Sequence, residues 1–138
     1  MEEKIKERLH ELYWTHNYNC AMAMLICLGE LFEEKITEQT LHASMGLNGA
    51  GRSRGQCGLV EGALMFIGIY MTNKRKEKYK IIVEVCHDFA IQFTKSFGSI
   101  SCYDLRPGGF RKDDPPHFCE SMSAEAILFS YEFIKKIA

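Results

Sequence analysis

Nine consecutive residues, Cys20 to Leu28, are apolar on every face (Cys-Ala-Met-Ala-Met-Leu-Ile-Cys-Leu). Asn19 stands before them as a helix N-cap, and the pattern continues to Glu34. A helix that is hydrophobic all round has no side to give to water, so it belongs in the middle of a bundle. The flanking segments supply its neighbours. Ile5, Leu9, Leu12 and Tyr13 recur at helical spacing across Glu2 to His16, opposite a charged face, and Trp14 adds apolar surface near the end. Thr37 caps a short third helix through Leu41, Ala43 and Met45, with Gly46 read as its C-terminal glycine. A helical pattern resumes from Cys57 to Met71. Another is predicted from Lys74 to Phe97, with an apolar face of Tyr79, Ile82, Val83, Cys86, Phe89, Ala90 and Phe93 and a terminating Gly98.

Ser99 to Leu105 reads as a short helix or turn, with Ser99 or Ser101 as cap. Pro107-Gly108-Gly109 and Asp113-Asp114-Pro115-Pro116 bracket an irregular loop. The last helix is expected from Pro116, with Cys119, Met122, Ala126, Phe129, Phe133 and Ile137 at helical intervals. No stretch alternates with period two for long enough to make a strand. The expectation is an all-α, single-domain bundle over residues 1–138, of about five to six helices with a glycine-rich loop.

Charge excludes some functions. The net charge is -1 and long single-sign runs are absent, which argues against nucleic acid and anionic membranes. The cluster Lys74-Arg75-Lys76-Glu77-Lys78 reads as a solvated helix start. Leu59 to Met71 is the longest apolar run, too short and glycine-broken to span a bilayer, which takes roughly 20 residues. Met1-Glu2-Glu3-Lys4 leads straight into an amphipathic pattern with no signal peptide, so the expected location is the cytoplasm.

Six cysteines are many for a chain kept in a reducing compartment, where an excess points to metal or redox chemistry rather than structural disulfides. Cys27 follows Cys20 by two helical turns, roughly 10 Å, too far for a disulfide. Cys27 and Cys86 both fall on apolar faces and read as core filling. The others stand at element boundaries: Cys20 and Cys57 at helix starts, Cys102 after a glycine turn, Cys119 beyond Pro-Pro. A helix start favours an anion and can lower the pKa of Cys20.

The stretch Gly46 to Gly62 holds six of the eleven glycines, Arg52, Arg54 and Cys57. It nearly spells a phosphate-binding loop, but arginine replaces the lysine and a helix precedes it where a strand is needed. CxxC, CxxCH and HExxH motifs are absent, and His10, His16, His42 and His117 are scattered, reading as exposed polar residues. Small residues at Gly55, Gly58, Gly62 and Ala63 let a neighbouring backbone approach or clear room for a bound group. Arg52 and Arg54 would balance its negative charge. Glu61, one turn after Cys57, would raise that thiol's pKa unless it points outward.

The pattern Asn19-Cys20-Ala21, Gln56-Cys57-Gly58 with Gly62-Ala63, Phe97-Gly98-Ser99 with Cys102, and then Cys119 resembles the C_GCAxxG_C_C family. The resemblance covers nearly the whole chain and implies redox activity centred on four cysteines: Cys20, Cys57, Cys102 and Cys119. Cys57 and Cys20 are then the candidate catalytic thiols. Iron–sulfur binding by the four, for electron transfer or redox sensing, is the leading expectation, with Arg52, Arg54, Gly55, Gly58 and Gly62 around the cofactor. Where the family keeps alanine this chain has Leu59, a bulkier residue beside Cys57. Two other readings stand open: a metal-free thiol–disulfide protein, and a non-catalytic zinc-binding or helical interaction module. The expected partner is a redox protein or small-molecule electron carrier, and exposed Met and aromatic residues point to a homodimer.

Overall fold

The computed structural model describes residues 1–106, 117 and 119–137. Among these are eight helices: α1 (Glu2–Trp14), α2 (Cys20–Leu31), α3 (Glu38–Ala43), α4 (Gly49–Arg52), α5 (Gly58–Asn73), α6 (Tyr79–Phe97), α7 (Cys102–Leu105) and α8 (Glu120–Ile137). The all-α expectation holds. The count exceeds five to six because α4 and α7 are single turns with too few residues to show a period.

α2 lies at the centre, against α1, α5 and α8, and Ala21 to Leu25, Cys27 and Leu28 are all buried. Asn19 caps it as expected, its side chain accepting from the Met22 N–H at 2.9 Å. The α2–α5 contact depends on glycine. A Cβ at Gly58 would sit 2.5 Å from the Leu47 carbonyl oxygen, and one at Gly62 would sit 2.6 Å from that of Ala21. These two glycines therefore serve backbone-to-backbone packing, which brings the start of α5 against the start of α2. Arg8 ties α1 to α2 through Glu30, with its Nη2 2.7 Å from the carboxylate. Phe89, Phe93 and Phe97 of α6 meet Phe129 of α8 at ring separations of 5.6–5.8 Å.

Several boundaries moved. α5 runs to Asn73, and α6 begins at Tyr79, so the basic cluster at 74–78 is the exposed connection between helices rather than a helix start. The first half of α6 also buries less than its pattern implies. Tyr79 is 83% exposed and Val83 45% exposed, and Phe89 and Phe93 are the buried residues of the helix. In α8 the deepest stripe is Ser123, Ala126, Ile127, Ser130 and Ile134, one step around from the predicted Met122, Phe129 and Phe133, which pack at its margin. α3 ends at Ala43 with Ser44 as its C-cap, and Gly46 lacks the left-handed conformation expected of a terminating glycine, whereas Gly98 has it at φ 90°. The predicted loop from Pro107 and the helix start at Pro116 lie outside the described residues.

Candidate functional site: a four-cysteine centre

Cys57 is the N-cap of α5 and Cys102 the first residue of α7. A short antiparallel pairing of Gln56 with Ser101 holds their backbones together. The Cys57 N–H donates to the Ile100 carbonyl at 2.8 Å, and the Cys102 N–H to that of Gly55 at 2.6 Å. Nothing in the residue pattern announced this contact, since one bridge has no periodicity.

Residues 49–52 form a left-handed turn, with φ between 54° and 66° at Gly49, Ala50, Gly51 and Arg52. L-residues avoid that region, at a cost of roughly 1–2 kcal/mol each, so Ala50 and Arg52 are held there by their surroundings. Gly49 has no substitute. A Cβ on it would crowd the Cys102 Sγ at 3.1 Å on a backbone already at φ 64°. Gly55 is similarly tight, with 3.0 Å between its virtual Cβ and that of Ala50.

Cys20 enters from α2, and its Cβ would lie 3.2 Å from a Cβ on Gly58. Its sulfur accepts from the Tyr13 hydroxyl at 3.3 Å, and Tyr13 and Ser123 are 2.9 Å apart, oxygen to oxygen. Cys119 is fixed by a clamp between α1 and the start of α8. His117 stacks on Tyr13 with centroids 4.6 Å apart and bonds Asn17 at 3.0 Å. Trp14 Nε1 donates to the Glu120 carboxylate at 2.6 Å, and His10 contacts its other oxygen at 2.8 Å. His117, expected to be an exposed polar residue, is a half-buried part of this clamp.

These four thiols sense one another. Burial raises the Cys20 pKa, and the charge of Cys102 adds to the rise, while hydrogen bonds from Tyr13 and Ser123 oppose it. Burial pushes Cys57 up to about 12, with Cys20 and Cys102 contributing and the Leu59 and Val60 N–H groups pulling back. Cys119 rises to about 11 through burial, aided by Cys20 and Cys102 and opposed by Arg106. Cys102 is raised by burial and drawn down by Arg106 and Arg54. Burial pushes Cys27 up to about 12 as well, with Glu30 adding and Arg8 opposing, and Cys86 is raised by burial.

One expectation is corrected. The helix start does not make Cys20 acidic, because desolvation outweighs the dipole at a buried thiol. Glu61 is itself raised by its own partial burial. Arg54 draws the Cys102 thiol down, and Arg52 lines a cleft with His16, Tyr18 and Met22. Leu59 is fully buried in the hydrophobic core. Tyr13, Ser123, Arg106, His117 and Glu120 were not read as site residues. The spacing of Cys119 and Ser123, one helical turn, was the available signal for one of them.

Among the described residues, no three Cys, His, Asp or Glu side chains are gathered into a set that could hold a metal ion. Four soft thiols fit iron–sulfur or zinc in kind and number, but their present arrangement does not close on one. A family model described as "Putative redox-active protein (C_GCAxxG_C_C)" matches residues 18–133. The chain belongs to the C_GCAxxG_C_C family. No curated protein and no solved structure matches it. The C_GCAxxG_C_C match spans all four coupled cysteines. Among the described residues no helix is long and apolar enough to cross a membrane.

Proposed function

We propose that this member of a redox-active family works through one thiol centre made of Cys20, Cys57, Cys102 and Cys119, by thiol–disulfide exchange. The observation that carries the reading is geometric: the Gln56–Ser101 pairing holds the Cys57 and Cys102 backbones together, and the start of α2 brings the Cys20 Cβ to 3.2 Å from a Cβ on Gly58, next to Cys57. Two neighbouring thiols give up two protons and two electrons to form an S–S bond, and an oxidised partner protein or small disulfide takes up both. Burial supports such a pair step, since thiol and disulfide are both neutral and neither end state leaves a charge in the core. The charge of Cys20 reaches Cys57 and Cys119, and that of Cys102 reaches Cys20, which puts Cys20 among the other three.

A cluster reading has support of its own. Four thiolates are the usual ligand number for [2Fe–2S] and [4Fe–4S] centres, and the Leu59 and Val60 amides already donate to the Cys57 sulfur. It requires the sulfurs to draw closer than they stand. One preparation separates the readings. Protein purified anaerobically is analysed for iron, sulfide and zinc, then oxidised and mapped for disulfides by mass spectrometry. The thiol reading expects no stoichiometric metal and a disulfide within the set of four, changed or lost in Cys20→Ser and kept in Cys86→Ser. Stoichiometric iron and sulfide with a brown chromophore establishes the cluster instead. Stoichiometric zinc with no disulfide on oxidation refutes redox action.

A further inference from the structure

α5 starts at Gly58, beside the thiols, and runs 16 residues to Asn73, a length of about 24 Å. At that far end two segments of opposite charge come together. The Asn73 amide donates to Glu34 Oε2 at 3.4 Å, so the basic connection that begins at Lys74 leaves from the edge of an acidic turn.

The acidic segment is the turn after α2. Glu33 stands at φ 55°, and a Cβ on Gly29 would sit 2.8 Å from the Glu34 carbonyl oxygen, so the chain folds back closely on the helix. The turn edges a cleft of about 350 Å³ lined by Glu30, Glu33 and Glu34, with Lys35 its one cation. Glu30 is already committed to Arg8. Glu34 meets the Asn73 amide through one oxygen, and its other, Oε1, is buried with no hydrogen-bond partner. A carboxylate left so is costly and calls for a counter-charge.

The basic segment carries Lys74, Arg75, Lys76, Lys78 and Lys80, all exposed, against a single carboxylate at Glu77. Ion pairs among the described residues use Lys6, Arg8 and His10, so none of these five cations is matched within its own chain. Beside them Tyr79, Ile81 and Val83 of α6 are exposed apolar side chains. A surface that holds both signs and an apolar patch is complementary to itself across a two-fold axis. Cations alone would suit any polyanion, but carboxylates at their edge repel nucleic acid and anionic lipid and favour a second copy. Residues 30–38 and 74–83 together come close to the roughly 20–30 residues that a stable interface takes on each side.

We propose that the chain forms a two-fold dimer through this end, with the basic connection of each copy against the carboxylates of the other. Lysines of the second copy bring Glu33 and Glu34 the counter-charge that their own chain does not place on them, and Tyr79, Ile81 and Val83 pack near the axis. The thiols, a helix length away, take no part, so the dimer stands independently of the thiol–disulfide reading.

The test uses the full chain under reductant, so that no intermolecular disulfide contributes. Sedimentation equilibrium at low ionic strength should give twice the mass of the 15.8 kDa chain, and the dimer should weaken at high ionic strength, where exposed charges are screened. One variant combines Lys76→Glu with Lys78→Glu, and the other combines Glu33→Lys with Glu34→Gln. Each alone sets like charges against like and should sediment as a monomer. Mixed in equal amounts they meet opposite charges at both contacts and should recover the dimer, which misfolded variants could not do. Where circular dichroism shows helix lost in the second variant, Glu33→Lys alone takes its place, since Glu33 is exposed. A parent chain that stays monomeric, variants that dimerise as well as the parent, or a mixture of folded variants that stays monomeric overturns the proposal.

Discussion

Gly58→Ala puts the α2–α5 contact to a quantitative test. The new Cβ would lie 2.5 Å from the Leu47 carbonyl oxygen and 3.2 Å from both the Ala21 nitrogen and the Cys20 Cβ. The first contact is with backbone, which cannot rotate away, so α5 or the segment at Leu47 must move by more than half an ångström. Overpacking of this kind costs typically 1–3 kcal/mol, and a rigid neighbour places it in the upper part of that range. Replacing glycine by alanine in a helix returns about 0.5–1 kcal/mol, leaving a net loss of about 2 kcal/mol. At roughly 2.1 cal/mol/K of unfolding entropy per residue, a chain of 138 residues loses about 7 °C in Tm. Gly68→Ala is the control: it lies on the same helix with nothing within 4 Å of its virtual Cβ. That variant should gain about 2 °C. Calorimetry on both variants decides the matter, and equal shifts of the same sign would refute the close-approach argument.

Tyr13→Phe keeps the buried ring but removes the hydroxyl shared by Cys20 and Ser123. Stability should fall by about 1–3 kcal/mol in urea titrations, and alkylation of Cys20 at fixed pH should slow as its thiolate loses a donor. Glu120→Gln weakens the clamp with Trp14 and His10, so Trp14 fluorescence should shift and Cys119 should alkylate faster. The pH dependence has a definite sign. Cys57 and Cys119 stay protonated in the folded protein to about 12 and 11, while in the unfolded chain they ionise near 8.5. Their contribution is whole below that unfolded value and declines as pH rises through the folded ones. Denaturant midpoints should therefore drop between about pH 9 and 12, with a shallower slope in Cys57→Ala.

How far the residues alone could go depended on the length of each signal. The bundle was legible because α1, α2 and α5 each run three or more turns, long enough for a period, or in α2 an unbroken apolar run, to show. Cys27 and Cys86 were separable from the other cysteines for the same reason, as they sit inside such patterns. Gln56 and Ser101 pair through backbone atoms, which carry no residue preference strong enough to read. Tyr13 looked like one more core aromatic because periodicity reports burial and says nothing about which hydroxyl meets which sulfur. The acidity expected at Cys20 failed on magnitude: a helix terminus contributes typically 0.3–1 kcal/mol, while desolvating a thiolate costs more.

The Gln56–Ser101 pairing also constrains how the molecule is made. It closes a loop containing the whole of α5 and α6, so chain entropy opposes it until both helices have formed and docked. Contacts of such long sequence separation form late. Until then Cys57 and Cys102 are kept from each other and from Cys20, while all six thiols remain open to wrong partners. Refolding in air should therefore yield mispaired species, and refolding under reductant followed by oxidation should recover the native one. The protein must acquire its shape before its oxidation state.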